Sequence, residues 1–419
     1  MHDFHFRNKE LHCEDVPVRR VAEEVGTPFY LYSHKTLIDH FTKLKQAFAD
    51  IDPIVCFAMK ANDNLAVIKA LALQGAGFDI VSGGELKKAR KAGADMGKIV
   101  FASVGKTEEE IRAAIQAGIL LLNVESLPEL EEINRLAAAM RKKPRVALRI
   151  NPDVAAPTHA KITTGTLKNK FGIDLRTARE IMNNRRRYAA VEFAGLHVHI
   201  GSQIVEAGPF VKALGRVIDF LNVLRGDGID LRYLDIGGGL GIIYKDERPQ
   251  TARKFAKDVL PYLRRTGLKI IMEPGRFIAG NAGIFVTRVL YLKDNGVKKF
   301  MIVDGGMNDL MRPTLYEAYH EVVPVLRKGG RRIEVDVVGP ICESGDFLAK
   351  DRRLPVLGKG DLLAVMSAGA YGYVMASNYN VRGRPPEVMV KGKRFAVVKR
   401  RETFRDLVRA ESVPDFLLS

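Results

Sequence analysis

Y-L-D-I-G-G-G-L-G, residues Tyr233–Gly241, is an apolar run with one acid that breaks into nearly bare backbone. The run is too short for a helix and the glycines forbid one, so it reads as a strand delivered into a loop. The same layout recurs downstream in I-I-M-E-P-G-R at Ile270–Arg276 and upstream in G-L-H-V-H-I-G-S at Gly195–Ser202. Working outward, further strands are expected at Ile54–Phe57, Phe78–Val81, Ile99–Ala102, Leu120–Val124 and Val146–Ile150. The three opening runs become strands over Tyr233–Ile236, Ile270–Met272 and Gly195–Ile200. Amphipathic stretches lie between them, among them Asn64–Gln74, Thr107–Ala117, Pro128–Met140 and Phe210–Arg225. Eight consecutive βα units within about 230 residues predict an α/β fold built on a closed (β/α)8 barrel rather than an open doubly wound sheet.

The rest of the chain has strands without intervening helices of comparable length: Ile284–Lys293, Lys299–Val303, Arg332–Val338, Leu362–Met366 and Val388–Val398. In Ile333–Val337 apolar and acidic residues alternate with period two, the pattern of a sheet exposed on one face. The expected organisation is an N-terminal segment 1–33, including P-F-Y-L-Y at Pro28–Tyr32, which pairs with a C-terminal β domain at 282–419. The barrel occupies 34–281 between them.

The composition sets bounds. At 419 residues, 47% apolar and 27% charged, the chain is an ordinary globular protein of two or three domains, not a disordered one. Cys13, Cys56 and Cys342 have no C-x-x-C spacing, which argues against a disulfide scaffold or structural zinc and for a reducing cytoplasm. The charged first residues are unlike a signal peptide, and Leu362–Val381 is too polar to span a membrane. A net charge of +17 would suit nucleic acid, but the basic residues are scattered and lack interleaved aromatics, so no nucleic-acid partner is expected.

Chemistry in such barrels gathers at the C-terminal ends of the strands, where this sequence places M-K-A-N (Met59–Asn62), S-G-G (Ser82–Gly84), H-V-H-I-G-S, G-G-G-L-G and E-P-G-R. Gly237–Gly241 can bring backbone N–H groups against phosphate oxygens, although a tight turn also explains glycines. Gly105-Lys106-Thr107 imitates the end of a phosphate-binding P-loop, but Val100 stands where an earlier glycine is required. Lys60, closing the first strand, reads equally as a partly desolvated amine or as a snorkelling surface lysine. Glu273 can serve a metal, act as a base or face a cationic heterocycle, and an ion pair with Arg276 is the structural alternative. His197 and His199 share a face if both lie on a strand, but no further histidines are placed to complete a metal site, so no metal is expected. One ligand reconciles lysine, glycine loop and carboxylate: pyridoxal 5'-phosphate, with Lys60 on the aldehyde, the glycines on the phosphate, Glu273 on the ring nitrogen and His199 on the ring face.

The motifs F-A-M-K-A-N (57–62), H-V-H-I-G-S-Q (197–203), L-D-I-G-G-G-L-G (234–241) and E-P-G-R (273–276) resemble the alanine-racemase-fold, pyridoxal-dependent decarboxylases. R-P-T-L-Y-E-A-Y-H (312–320), G-P-I-C-E-S-G-D (339–346) and S-A-G-A-Y-G-Y (367–373) are similar to those of the diaminopimelate decarboxylases. The likeness runs from about Thr27 to the tail at 400–407, with one soft departure in a loop at 160–169 (A-K-I-T-T-G-T-L-K-N).

The resemblance implies Lys60 as the covalent cofactor lysine, His199 as the ring-stacking residue and Glu273 as the partner of the ring nitrogen. Ser202, Gly239, Pro274, Gly275 and Arg276 fall on the cofactor-binding motifs. Arg276, Arg312, Tyr316, Glu343 and Tyr371 match substrate-binding positions, and Tyr371 also touches the cofactor. Cys342 and Glu343 match a pair that enters the neighbouring subunit's site, which implies a homodimer with composite active sites. The reaction implied is decarboxylation of meso-2,6-diaminopimelate to L-lysine, with Cys342 or Lys60 delivering the final proton; the bland reading of Cys342 is a small buried hydrophobe.

Two other readings stay open at this level. One is a decarboxylase of another basic amino acid or a carboxylated polyamine, of the ornithine, arginine, lysine or carboxynorspermidine type. The other is a catalytically inactive regulatory relative, against which the presence of Lys60 stands.

Overall fold

In the computed structural model, residues 2–154 and 170–418 are described. The departing loop at 160–169 lies outside them. The chain divides into two units, residues 37–280 and residues 1–36 with 281–419.

The first unit is a closed barrel of eight parallel strands. They are β1 (Ile54–Ala58), β2 (Gly77–Ile80), β3 (Ile99–Ala102), β4 (Leu121–Val124), β5 (Arg145–Arg149), β6 (Glu192–His197), β7 (Tyr233–Asp235) and β8 (Lys269–Met272). Neighbours in sequence are neighbours in the barrel, and β8 closes onto β1 with Ile271 opposite Ile54. Cys56, Val100, Leu121, Ala147, Ala194 and Ile271 pack together in one apolar cluster. The helices start where their capping residues place them. Asn64, Ser82, Ser126 and Thr251 each accept a backbone N–H two or three residues ahead, and Thr107 forms a capping box with Glu110.

Strand six departs from the sequence expectation. It was expected over Gly195–Ile200 and runs Glu192–His197; Val198 and Ile200 lie beyond its end although both are as buried as strand residues. His199 is therefore a loop residue, and the two histidines are not a strand-face pair.

The second unit is β-rich. Its main sheet runs, in spatial order, Phe347–Pro355, Arg332–Val338, Lys299–Val303, Gly283–Asp294, Phe29–Ser33, Glu387–Lys391 and Arg394–Lys399. Leu362–Val365 branches from Gly283–Asp294 and carries Val322–Pro324. Phe29–Ser33, buried along its whole length, is antiparallel to Gly283–Asp294 on one side and parallel to Glu387–Lys391 on the other. The N-terminal segment thus supplies an interior strand of this sheet. Phe29, Leu31, Ile284, Val286, Val388 and Val390 pack with Leu11, Val18 and Val21 in its core.

Two details differ from expectation. The run Val388–Val398 is a hairpin broken at Gly392 (φ 61°). The alternation at Ile333–Val337 fails at Asp336, which is buried where the register shifts and accepts from Lys298 Nζ (2.8 Å) and the Asp351 N–H (2.7 Å). Among the described residues no helix is long and apolar enough to cross a membrane. The three cysteines are free.

Candidate active site

Chain direction puts the C-terminal ends of all eight strands on one face of the barrel, and the unusual residues of the sequence collect there. Lys60 sits in a single 3-10 turn directly after β1. Its Nζ lies 2.5 Å from Oδ2 of Asp79, a fully buried residue of β2, and about a third of the lysine side chain remains accessible. The other Asp79 oxygen, Oδ1, is buried and has no partner among the described residues. Burial and the charge of Glu273 push the Asp79 carboxyl above its usual range, while Lys60 pulls it down.

Glu273 follows β8 at the same end. Its Oε2 is 3.4 Å from His197 Nε2, and Asn123 Nδ2 stands 3.5 Å from Oε1 and 3.4 Å from Asp235 Oδ2. The His197 approach is not directed as a hydrogen bond: neither ring nitrogen has a partner among the described residues. Burial alone would raise the Glu273 carboxyl, but His197, Lys60 and a hydrogen bond from Asp235 outweigh it and hold Glu273 well below the usual carboxylate range. Asp235 moves the other way, pushed up by burial and by the Glu273 charge. The pair therefore divides into one anion and one acid.

The glycine loop after β7 is stitched to its neighbours. Gly237 N–H donates to Asp235 Oδ1 (2.9 Å), Gly238 N–H to His199 Nδ1 (3.2 Å) and Glu273 N–H to the Gly237 carbonyl (2.8 Å). A Cβ on Gly238 would lie 2.2 Å from the Glu273 carbonyl oxygen, and one on Gly239 2.5 Å from that of Gly201. The glycines are thus required by loop packing as well as by any phosphate. Because His199 Nδ1 accepts, its proton sits on Nε2. Burial, then Arg149 and Lys60, hold the imidazole well below its ordinary value, so it is neutral.

Pro274 returns its carbonyl to the Ala58 N–H at the end of β1 (3.2 Å). Arg276, buried, donates through Nε and Nη2 to Ser202 Oγ (3.3 and 3.1 Å) and through Nη1 to Tyr244 OH (2.6 Å). These contacts do not include Glu273, the ion-pair partner of the alternative reading. The N–H groups of Gly239 and Gly275 meet no acceptor among the described residues. Two open N–H donors, a hydroxyl and a buried guanidinium suit a phosphate. An ionised carboxylate suits a protonated ring nitrogen, and a lysine amine suits an aldehyde, so the residues present fit pyridoxal phosphate.

The barrel thus gathers Lys60, His199, Ser202, Gly239, Glu273, Pro274, Gly275 and Arg276 at the ends of strands β1, β6, β7 and β8. Sequence reasoning missed Asp79, Asn123, Asp235 and Tyr244, and weighed His197 only as a metal ligand. The signal for Asp79 was in G-F-D-I: an acid inside a strand buried along its whole length. His197, Asp235 and Glu273 also bring ligand atoms within 4.8 Å of one another. Both oxygens of Asp235 already face donors, Oδ1 the Gly237 N–H (2.9 Å) and Oδ2 the Asn123 Nδ2 (3.4 Å).

The remaining candidates lie in the β-rich unit. Arg312 opens the short helix Arg312–Tyr316 and is buried. Its Nε donates to His320 Nε2 (3.2 Å). Tyr316, on the same helix, is half-buried. Cys342 and Glu343 are both exposed, which removes the buried-hydrophobe reading of the cysteine. Asp346 of the same motif turns inward and accepts the N–H groups of Met307 and Ile341 (both 2.7 Å), so it is structural. Tyr371 takes φ 56°, a left-handed conformation uncommon for a bulky residue and frequent where a side chain must be aimed.

Comparison with known proteins agrees with this chemistry. Residues 34–280 match the profile of the pyridoxal-dependent decarboxylase pyridoxal-binding domain. Diaminopimelate decarboxylase of Pseudomonas aeruginosa is 47% identical over 413 residues, covering 99% of both chains. That of Aquifex aeolicus is 46% identical, covering 96% of each. Among solved structures, diaminopimelate decarboxylase from Helicobacter pylori complexed with L-lysine superposes with a TM-score of 0.91 at 40% identity, covering 94% of this chain and 98% of that one.

Proposed function

Because the chain belongs to the diaminopimelate decarboxylases, pyridoxal-dependent carboxy-lyases, we propose that it converts meso-2,6-diaminopimelate to L-lysine and CO2, the last step of lysine biosynthesis. The observation that carries the reading is Lys60 on Asp79, in a mouth that also holds an ionised Glu273 and an open set of phosphate donors.

Pyridoxal phosphate, when bound, draws electrons from the bonds at the α-carbon of an amino acid. Lys60 would hold its aldehyde, and Ser202, Gly239, Gly275 and Arg276 its phosphate. Glu273 would hold the ring nitrogen. His199, its tautomer set by the Gly238 N–H, would present its flat face to the ring, and Pro274 and Tyr371 would complete the cofactor-binding set. Asp79 keeps the lysine amine aimed along the mouth. Arg312 supplies charge-assisted hydrogen bonds to the second carboxylate of the substrate, helped by Arg276 and Tyr316, while Glu343 takes the distal ammonium. Once CO2 has left, a proton must reach the α-carbon; the Cys342 thiol is the candidate donor and Lys60 the other.

The exposure of Cys342 and Glu343 in the single chain supports a homodimer in which they enter the neighbouring subunit's site. The reducing compartment suggested by free cysteines supports a cytoplasmic location.

The test is CO2 release from purified protein with meso-diaminopimelate, its LL isomer, ornithine, arginine and lysine. Strong preference for the meso isomer is expected. Equal rates on ornithine would overturn the substrate assignment, and failure of borohydride to trap cofactor on Lys60 would overturn the site.

A further inference from the structure

Arg312 cannot read a carboxylate unless its guanidinium is held, and one neighbour that holds it is a histidine. His320 is fully buried and eight residues downstream, at the end of the segment after the Arg312 helix. Its Nδ1 is 2.8 Å from the carbonyl of Met366, which only an N–H can approach, so the proton is on Nδ1 and Nε2 carries the lone pair. That lone pair accepts the Arg312 Nε–H at 3.2 Å. His320 is anchored a second time through its own carbonyl, which accepts from Arg352 Nη2 (3.5 Å), and the Arg352 guanidinium lies over the ring of Tyr319 (3.9 Å).

We propose that His320, tethered to the Met366 carbonyl, is a positioning residue that fixes the Arg312 guanidinium and thereby sets the preference for a ligand with a carboxylate at its distal end. The chemical logic is directional. An arginine offers donors along two edges of a rigid fork. Occupying Nε with an acceptor stops rotation about the last side-chain bond and directs an incoming carboxylate to the Nη1/Nη2 end. Histidine does this because its tautomer is imposed from the far side by a backbone carbonyl, and a backbone carbonyl cannot be titrated away. The inference rests on the reading of Arg312 as the carboxylate-binding residue.

The test uses holoenzyme and two product-side ligands: L-lysine, which keeps the distal carboxylate, and cadaverine, which lacks it. His320→Leu removes both hydrogen bonds at similar volume. It is expected to raise KM for meso-diaminopimelate about ten- to hundredfold, the range for a lost hydrogen bond to a charged group, with kcat within about twofold. It should also collapse the L-lysine over cadaverine affinity ratio, as Arg312→Met should. A purely structural role would weaken both ligands alike and leave the ratio standing. His320→Gln keeps an acceptor near Nε2 but loses the Met366 tether, so it should fall between Leu and wild type. It also carries the test if the leucine variant does not fold. A wild-type KM and ratio in either variant, while Arg312→Met loses the ratio, overturns the inference. An unchanged ratio in Arg312→Met overturns the underlying reading instead.

Discussion

Two of the barrel's lysine–carboxylate pairs, equal in length and at the same end of its strands, have opposite characters. Lys106, in the loop after β3, sits 2.5 Å from Glu129 and has no accessible side-chain surface. Its remaining protons go to the carbonyls of Ser103 (2.9 Å) and Asn123 (2.7 Å), so all three ammonium protons have acceptors. Lys60 is also 2.5 Å from its acid, yet 36% of its side chain is accessible and Asp79 keeps a buried oxygen without a partner among the described residues. A structural lysine is saturated and closed; a reactive one is oriented by a strong contact and left reachable. The difference lies in the surroundings, since both lysines follow apolar strands.

The widest separation is expected in turnover. Lys60→Ala should lower kcat on the order of 10³-fold or more, with loss of the cofactor's bound absorbance. Turnover within tenfold of wild type would erase the distinction. Lys106→Met should do the reverse. It leaves Glu129 buried without its cation and should cost about 3–5 kcal/mol in chemical denaturation, with kcat per folded molecule retained. A neutral effect on stability would show the pair to be as loose as the other.

The glycines of the two regions sharpen the contrast. Gly105, beside Lys106, has nothing within 4 Å of where a Cβ would stand, whereas a Cβ on Gly238 would lie 2.2 Å from a backbone oxygen. Gly238→Ala should cost about 1–3 kcal/mol and weaken cofactor retention, measured by dialysis and absorbance. Gly105→Ala should stay within about 0.5 kcal/mol. Equal effects would mean that the loop after β7 has room that its geometry denies.

The G-K-T and M-K-A segments also show how far the sequence could be read. The eight strands were legible because each is an apolar run ended by glycine or polar residues, and closure followed from their number. Strand six was misplaced because Val198 and Ile200 are as apolar and as buried as strand residues without being in the sheet. The strand Phe347–Pro355 went unread because K-D-R-R occupies its middle and only Leu348, Ala349 and Leu354 face the core. Lys60, Glu273 and the glycines were legible from their place after strands. Asp79 and Asp235 were not picked out, and His197 was considered only as a metal ligand, because their significance is spatial: Asp235 and Glu273 beside His197, and Asp79 behind Lys60, come together only when the strands that carry them close into the barrel.

The smallest effect concerns the two acids of the compared pairs. Burial is the largest influence on both and raises both, but Asp79 also faces the charge of Glu273, while Glu129 gains the Glu125 N–H as well as its lysine. A carboxyl raised above its ordinary value binds its proton more tightly in the native state than in the unfolded chain. Its stabilising contribution is therefore complete below the ordinary Asp value of 3.8 and is lost as pH rises through the native value. Asp79→Asn, the neutral isostere, has no proton to lose. Its apoprotein should hold stability flat where wild type declines between mildly acidic and mildly alkaline pH, a divergence on the order of 1 kcal/mol by urea denaturation. Glu129→Gln should flatten the curve less, because fewer negative neighbours oppose ionisation there. Parallel curves for wild type and Asp79→Asn would mean that Lys60 fully compensates its partner. The open pair would then be a conventional ion pair, no different in charge from the closed one.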